Sequence, residues 1–411
     1  MPALQKTITV HGAEIPVIFE QDTYLPLMSM QLIFEDSGAL SDLAPGQAKM
    51  TARLLGEGSR RDGATKFAQR LESRAVSLNA HAGRETLVVE LGALAEEFGD
   101  GIGLLAELLS DPNYSPEAFE TIQAATLGRL TQKQSDFDYL ASVALKGVLF
   151  AGTPQADPAD GTLHSIKTMD PEDLVYHFNA HVGLSNLTVV LGGAMDWEKV
   201  EPLIRQALTP LKQNSVVPIG HFKATSTPAT HRQSTQTEQA YIYFGAPYDV
   251  AYDGDETRLA KVAGFVLGSS GFGSRLMEEI RVKRGLAYSA YGRFALNRSV
   301  SYFTGHLQTK LESEEEAIAV VRQVVGDFVR DGMTAKELEG AKQFLLGSEP
   351  LRTETLSQRL GRAFNEYYAH KPLGDSLEEL KRIEALTLDE VNDFIRKHEE
   401  ISALSFSIVG K

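Results

Sequence analysis

Short apolar segments that alternate with polar positions open the chain, and they predict strands joined by tight turns. Residues 7–19 form two such segments that are interrupted at His11-Gly12, a pair that suits a hairpin turn. Leu27–Phe34, with the sequence LMSMQLIF, predicts a longer apolar strand. Three further strands are predicted at Ser77–Asn79, Thr86–Leu91 and Leu187–Leu191.

Between these strands, apolar residues recur at the spacing of a helix. The helix after Ser115 has the clearest start, because Ser is a good N-cap and Pro116 suits the first helical position. Runs of strands that are followed by runs of helices favour an α+β sandwich over a doubly wound parallel sheet. The helices predicted in the first half cover Gly46–Leu55, Lys66–Ala75, Phe98–Leu109, residues 115–134 and Pro171–His181.

The second half of the chain repeats this order of elements. The segment that starts at Ile166 matches the one that starts at Ile383, and SPEAFE at Ser115 matches TAKELE at Thr334 at a similar offset. An amphipathic helix precedes the second match in both halves. Three matches in the same order predict a duplicated α/β domain.

The repeat predicts the boundaries of two domains. The N-terminal domain covers residues 1–212, and the C-terminal domain covers residues 235–411. Residues 213–234 between them lie in a stretch rich in Pro, Ser and Thr, a composition that is typical of an exposed linker.

Composition narrows the classes of function. The 411 residues include 40 Lys and Arg against 55 Asp and Glu, a net charge of −15 that argues against nucleic acid as a partner. The absence of cysteine excludes disulfides, thiol nucleophiles and Cys-ligated zinc. No apolar run is long enough to predict a transmembrane segment, and the first residues do not resemble a signal peptide. The compartment, cytoplasm or periplasm, stays open.

The segment Gly268–Phe294 carries the most chemistry. A Gly/Ser loop leads into a helix predicted at Ser274–Val282, and a strand with aromatic residues follows. Arg281 and Tyr288 lie on either side of the turn between them, so their side chains are predicted to converge. Arg offers a rigid fork of donors for a peptide carbonyl or a carboxylate, and a Tyr hydroxyl can donate to an oxyanion.

Two other interpretations of this segment stay open from the residues alone. Arg281 and Tyr288 would be a surface cation and a ring packed on the sheet. Alternatively, Gly268, Gly271 and Gly273 before a helix would form a phosphate loop, although the chain lacks G-x-x-x-x-G-K-[ST].

The sequence SRLMEEIRVKRGLAYSAYGRF, which starts at Ser274, resembles the C-terminal half of the M16 metallopeptidases, the pitrilysin or inverted-zincin family. The family motif S-R-L-x-x-E-I-R-x-x-x-G-L-x-Y is present without a gap. The resemblance covers the whole chain, and it implies an α+β fold of two homologous halves of the LuxS/MPP-like type joined by a linker. It also implies that Arg281 and Tyr288 bind the substrate backbone and help to polarise the scissile carbonyl.

The same resemblance shows where this chain departs from the family. Family members bind zinc through H-x-x-E-H on a helix and a distal Glu, and the first Glu is the general base. The corresponding positions here are Lys49, Ala52 and Arg53, and the best alignment places Ile122 at the distal position. A protonated cation cannot ligate zinc, so no metal is expected in this chain.

The resemblance implies a non-catalytic subunit of a heterodimeric bacterial M16B peptidase, inactive on its own. A separate catalytic chain with H-x-x-E-H would hold the zinc, and both would act on a peptide. One alternative is a homodimeric peptide-binding or structural protein. Another is a hydrolase with a metal at His177 and His181, although the match of His181 with His398 favours a structural role. An acquired role for Lys49 and Arg53, such as gripping a carboxylate, stays open.

Overall fold

The computed structural model describes residues 2–411, which divide into two compact units. Unit 1 consists of the chain up to Thr131 together with Pro158–Ile219 and Arg352–Tyr368. Unit 2 consists of the remaining segments, which are Gln132–Asp157, Gly220–Leu351 and Ala369–Lys411.

Twelve strands are found among residues 2–411, six in each unit. They are β1 (Leu4–Val10), β2 (Ala13–Gln21), β3 (Leu27–Glu35), β4 (Ser77–Ala82), β5 (Thr86–Leu94), β6 (Leu187–Gly193), β7 (Phe222–Lys223), β8 (Thr230–Ser234), β9 (Gln239–Pro247), β10 (Ala287–Leu296), β11 (Val300–Lys310) and β12 (Ser405–Gly410). The predicted hairpin is confirmed, since His11 and Gly12 join β1 to β2 with φ angles of 48° and 80°.

Fifteen α-helices are found in the same residues. They are α1 (Gln47–Leu55), α2 (Gly63–Glu72), α3 (Phe98–Ser110), α4 (Pro116–Lys133), α5 (Phe137–Leu149), α6 (Leu163–Thr168), α7 (Pro171–His181), α8 (Trp197–Leu208), α9 (Thr257–Gly264), α10 (Arg275–Met277), α11 (Glu314–Asp331), α12 (Ala335–Gly347), α13 (Leu356–Tyr368), α14 (Asp375–Glu384) and α15 (Leu388–Lys397). None of the helices described for residues 2–411 combines the length and apolar character needed to cross a membrane.

The two sheets share one topology. In unit 1 the strand order is β1-β2-β6-β3-β5-β4, and in unit 2 it is β10-β11-β9-β12-β8, with the short β7 paired to β11. Five strands correspond between the sheets: β2-β6-β3-β5-β4 in unit 1 is equivalent to β8-β12-β9-β11-β10 in unit 2. In each of these sets only the first pair, β2–β6 or β8–β12, is parallel. The predicted fold class of two homologous, antiparallel-rich halves is therefore confirmed.

Each sheet buries one face in an apolar core, because side chains alternate between the two faces of a strand. In β9, every second residue is completely buried, and the central one, Phe244, packs against the rings of Phe303 and Phe406. In β3, the equivalent strand of unit 1, the residues that enter the core are Met28, Met30, Leu32 and Phe34.

The compact units do not follow the predicted boundaries at 212 and 235 throughout. Helix α5 packs against β9 and β12 of unit 2, and its Leu145 and Leu149 belong to an apolar cluster with residues of β10 and β11. Helix α13 packs against β2 and β6 of unit 1, where Arg359 pairs with Glu20 and Asp22 at 2.6 and 2.5 Å. Each half of the sequence thus contributes one helix to the unit that the other half mainly builds.

Candidate functional site

The helix that carries Arg281 is built from two kinds of turn. Ser274 caps α10, as predicted, because its hydroxyl accepts a hydrogen bond from the backbone N–H of Met277. Residues 278–282 then form a π-helical turn, in which the N–H of Lys283 donates to the carbonyl of Glu278 at 2.9 Å. Such wider turns are rare and are enriched at functional sites.

A glycine fixes the path from this helix to β10. Gly285 has a φ angle of 65°, which a residue with a side chain adopts only at a cost. Its N–H donates to the carbonyl of Arg281 at 3.0 Å, and the N–H of Leu286 donates to the carbonyl of Ile280 at 2.9 Å. The two bonds span four and six residues, each one residue more than in a Schellman motif, in keeping with the π-helical turn before them. They reverse the chain so that β10 returns past the helix.

The structure brings Arg281 and Tyr288 together. The guanidinium carbon of Arg281 lies 4.6 Å from the ring centroid of Tyr288 and 4.6 Å from that of Phe272. Both rings are exposed, at 83% for Tyr288 and 71% for Phe272. A guanidinium held between two rings keeps its N–H donors at its edge, where they can reach a bound molecule.

The backbone of β10 explains why Tyr288 faces outwards. The ladder between β10 and β11 is irregular between Ala287 and Ala290, so the residues between them are released from regular pairing. Tyr288 occupies this bulge, and bulges often redirect a side chain next to a functional site. Phe272 was missed by sequence reasoning, although a lone aromatic residue inside the Gly/Ser loop was a usable signal.

The positions that match the family's zinc motif form an ion-paired cluster in unit 1. On α1, the Nζ of Lys49 lies 2.7 Å from a carboxylate oxygen of Asp160, and the Nη2 of Arg53 lies 3.9 Å from the same oxygen. The Nη1 of Arg53 also donates to the hydroxyl of Thr126 on α4 at 2.8 Å. Ala52 is 2% exposed and packs into the core of unit 1.

A third cation completes this cluster. The Nη2 of Arg129 donates to the same hydroxyl of Thr126 at 3.1 Å. Burial lowers the pKa of Arg53, and the nearby charge of Arg129 lowers it further. Arg129 and Asp160 were missed by sequence reasoning, because they are distant from α1 along the chain.

This cluster does not fit a zinc ion. Zinc needs neutral imidazole or carboxylate ligands, and the cluster offers three cations and one carboxylate that is already paired with Lys49. The predicted distal position is also displaced, since Ile122 packs in an apolar cluster with Met50 and Leu54. Thr126, one turn further along α4, is the residue that contacts Arg53.

Restoring the motif residues on α1 alone is expected to leave the chain without tightly bound zinc. In a variant with Lys49→His, Ala52→Glu and Arg53→His, α4 would still present Thr126 and the positive charge of Arg129 to the two new imidazoles. Zinc content after dialysis, measured by atomic emission, should stay well below one ion per chain. The double variant without Ala52→Glu is the control for damage from a new buried carboxylate. One zinc per chain in the triple variant would contradict this interpretation of α4.

His177 and His181 lie together on α7, but they do not build a metal site. Their rings are 4.6 Å apart, and His177 is 1% exposed with no hydrogen-bond partner for either ring nitrogen among residues 2–411. Its Nε2 lies 3.9 Å from the carboxylate of Asp42. Across residues 2–411, no three His, Asp or Glu side chains are placed so that they could hold a metal ion together.

Burial acts on His177 and Asp42 in opposite directions. It lowers the pKa of His177 from 6.5 to about 3, helped by the neighbouring His181. It raises the pKa of Asp42 from 3.8 to about 7, and this effect outweighs the backbone hydrogen bonds and the charge of Arg84, which lower that pKa. As pH falls below 6.5, His177 becomes protonated in the unfolded chain but stays neutral in the folded chain. His177 therefore lowers the stability of the folded chain as pH falls from 6.5. Asp42 lowers stability as pH rises from 3.8 to 7, so the two contributions oppose each other.

The variant His177→Leu is expected to uncover the contribution of Asp42. Its free energy of unfolding should exceed that of the parent by a margin that grows as pH falls from 6.5 towards 4, by up to about 1.4 kcal/mol per pH unit. Urea denaturation at several pH values, followed by the fluorescence of Trp197 in unit 1, measures this margin. The exposed His164→Leu is the control, and an equal pH dependence in both variants would contradict the assignment to His177.

Comparison with known proteins identifies the family. Residues 168–345 match the model of the peptidase M16 inactive domain. "Non-peptidase homolog YmxG" of Helicobacter pylori is 42% identical over 98% of this chain and 93% of its own length. An uncharacterized zinc protease of Mycobacterium tuberculosis is 25% identical over 85% of this chain and 81% of its own length.

Solved structures show the same fold. The peptidase M16 inactive domain from Pseudomonas fluorescens has a TM-score of 0.91 and 24% identity, with 99% of this chain and 98% of that chain covered. A protease from Helicobacter pylori has a TM-score of 0.86 and 14% identity, with both chains covered completely. With the relative that is 42% identical over nearly its whole length, these findings show that the chain belongs to the M16 peptidase family, where it resembles the inactive members.

Proposed function

We propose that this chain is the non-catalytic subunit of a heterodimeric M16B zinc peptidase. A separate chain with H-x-x-E-H would supply the metal chemistry, because Lys49, Ala52 and Arg53 leave this chain without ligands or a base. The observation that carries the proposal is the position of Arg281 between the exposed rings of Phe272 and Tyr288. A protein that had become a scaffold would gain nothing from a cation held open to solvent in this way.

In the proposed complex, Arg281 and Tyr288 act on the substrate backbone. The guanidinium N–H groups would donate to carbonyl oxygens of an extended peptide, and stacking on two rings limits the side-chain freedom that is lost on binding. The hydroxyl of Tyr288 would donate to the oxygen that becomes negatively charged when the scissile carbonyl is attacked. The two side chains would therefore support a reaction whose metal and base belong to the partner.

Native purification of this chain from its source organism tests the proposal. A similar-sized chain with H-x-x-E-H should be present in equal amount, as identified by mass spectrometry. Peptide cleavage should then need both chains, and neither chain alone should reach the rate of the pair. Recovery of this chain only with itself, or full activity of the partner alone, would contradict the proposal.

A second candidate function is a homodimeric M16-like protein that binds peptides, or supports an assembly, without cutting. The description of the Helicobacter pylori relative as a non-peptidase homolog favours this candidate. Arg281 and Tyr288 would then hold a peptide without taking part in chemistry. A homodimer that binds peptides and gains no activity from any M16 partner would support it.

A further inference from the structure

The cation cluster of unit 1, defined by Lys49, Arg53 and Arg129 with Thr126 and Asp160, has an excess of positive charge. Three cations face one carboxylate, in a chain whose net charge is −15. Asp160 lies 2.7 Å from the Nζ of Lys49, whereas the Nη2 of Arg53 is 3.9 Å from the same carboxylate oxygen, beyond hydrogen-bond distance. The charge of the two guanidinium groups is thus only partly compensated.

The two guanidinium groups are held side by side by one hydroxyl. Thr126 is 1% exposed, and its oxygen accepts from both Arg53 and Arg129, at 2.8 and 3.1 Å. Neither guanidinium makes a hydrogen bond to a carboxylate among residues 2–411. Most of their N–H donors, together with the hydroxyl hydrogen of Thr126, are therefore available to one more acceptor.

The acceptor that suits this arrangement is planar and negatively charged. A carboxylate can take two parallel N–H bonds from a guanidinium, and charge assistance makes such bonds stronger than neutral ones. The cluster is partly exposed, because the side chains of Lys49 and Arg53 are each 28% accessible and Arg129 lies at the surface. A ligand can therefore reach it without a rearrangement of the core.

The neighbouring strand indicates where such a carboxylate would come from. Helix α1 packs against β4, the last strand in the sheet order of unit 1, so one edge of β4 carries backbone groups that no strand of the sheet pairs with. Its residues Ser77, Asn79 and His81 are exposed, in alternation with half-buried neighbours. An extended peptide can add to such an edge through main-chain hydrogen bonds.

We propose that the cation cluster binds the terminal carboxylate of an extended peptide that lies along β4. At the positions where active relatives would bind a metal cation, this chain would bind an anion. It belongs to this chain alone, so it goes beyond the proposed heterodimer and does not depend on a catalytic partner. It also gives Lys49 and Arg53 a role that the loss of zinc by itself does not.

Fluorescence anisotropy with the intact chain tests the proposal. The probes are a short uncharged peptide with fluorescein at its N-terminus and a free C-terminal carboxylate, and the same peptide with a C-terminal amide. Amidation should weaken binding at least about tenfold, the scale of a lost charge-assisted hydrogen bond. Equal affinity for the two peptides would overturn the proposal.

Three variants locate the site. Arg53→Gln should remove the preference for the free carboxylate and leave the affinity for the amide unchanged. Asp160→Asn should tighten binding of the carboxylate peptide several-fold, a gain that a misfolded protein would not show. Arg60→Gln is the matched control, since this exposed arginine of unit 1 pairs with Asp111 outside the cluster. If Arg60→Gln weakens binding as much as Arg53→Gln does, the proposed site is wrong.

Inorganic phosphate distinguishes a peptide site from a site for free anions. Millimolar phosphate should compete weakly with the carboxylate peptide, because it gains nothing from β4. Competition by phosphate as strong as that of an unlabelled carboxylate peptide would overturn the assignment to a peptide. No partner chain and no cleavage enter these measurements, so their failure is distinguishable from failure of the proposed peptidase complex.

Discussion

Replacing Arg281 by alanine is expected to lower the turnover of the two-chain peptidase by about 10²-fold, the scale of losing one donor to an oxyanion. The variant would remove the guanidinium that Phe272 and Tyr288 hold between their rings. No ion pair of Arg281 is found among residues 2–411, so the substitution leaves no charged group unpaired in this chain. The loss should therefore appear in kcat rather than in the yield of folded complex.

Tyr288→Phe separates hydrogen bonding from stacking. The ring remains over Arg281, and only the hydroxyl is lost, yet turnover should also fall by about 10²-fold if the hydroxyl donates to the oxyanion. Steady-state cleavage of a fluorogenic peptide by the purified pair measures both variants. Lys283→Ala is the matched control, because this exposed cation lies at the end of the same helix and, among residues 2–411, pairs only with Glu279. Unchanged turnover in both Arg281→Ala and Tyr288→Phe would remove their proposed role.

The variant Phe244→Ala is expected to lower the free energy of unfolding of unit 2 by about 3–5 kcal/mol, the usual cost of truncating a buried aromatic side chain. Phe244 is completely buried at the centre of β9, and its ring lies 5.8 Å from that of Phe303 and 6.1 Å from that of Phe406. The truncation thus leaves a cavity between three neighbouring strands. The rigid sheet backbone limits how far this cavity can collapse.

Native-state hydrogen exchange measures this loss in the correct unit. Trp197 is the one tryptophan in the sequence, and it belongs to unit 1, so its fluorescence would not report on β9 directly. Amides of β9, β11 and β12 should lose protection in Phe244→Ala. Phe272→Ala deletes the same side chain from an exposed position and should leave protection of these strands unchanged. Equal loss of protection in both variants would contradict the packing argument.

Local signals in the sequence predicted much of the fold. The N-cap at Ser274, the turn at His11-Gly12 and the helix start after Ser115 each depend on a few adjacent residues, and each is found as predicted. Helix ends were less accurate. Helix α2 ends at Glu72 rather than Ala75, because Ala75 adopts a positive φ angle that ends the helix. The duplication was also predictable from the sequence, because recognising it required only the order of the helices and strands.

Features that depend on distant parts of the chain were not predictable. Asp160 and Arg129 meet α1 only after the helices of unit 1 have packed, and no spacing along the chain marks them as neighbours of Lys49. The bulge that turns Tyr288 outwards depends on the pairing of β10 with β11. The repeat likewise could not reveal that α5 and α13 each pack in the unit built mainly by the other half.

The position of α13 sets an order on synthesis of the protein. Arg359 on α13 pairs with Glu20 and Asp22 of the same unit, although Glu20 precedes it by 339 residues in the sequence. The surface of β2 and β6 that α13 covers therefore stays exposed until Leu356–Tyr368 have been synthesised and have left the ribosome. An N-terminal fragment that ends within residues 213–234 would lack this helix. Adding residues 352–368 as a separate peptide should cover the exposed surface of β2 and β6 again.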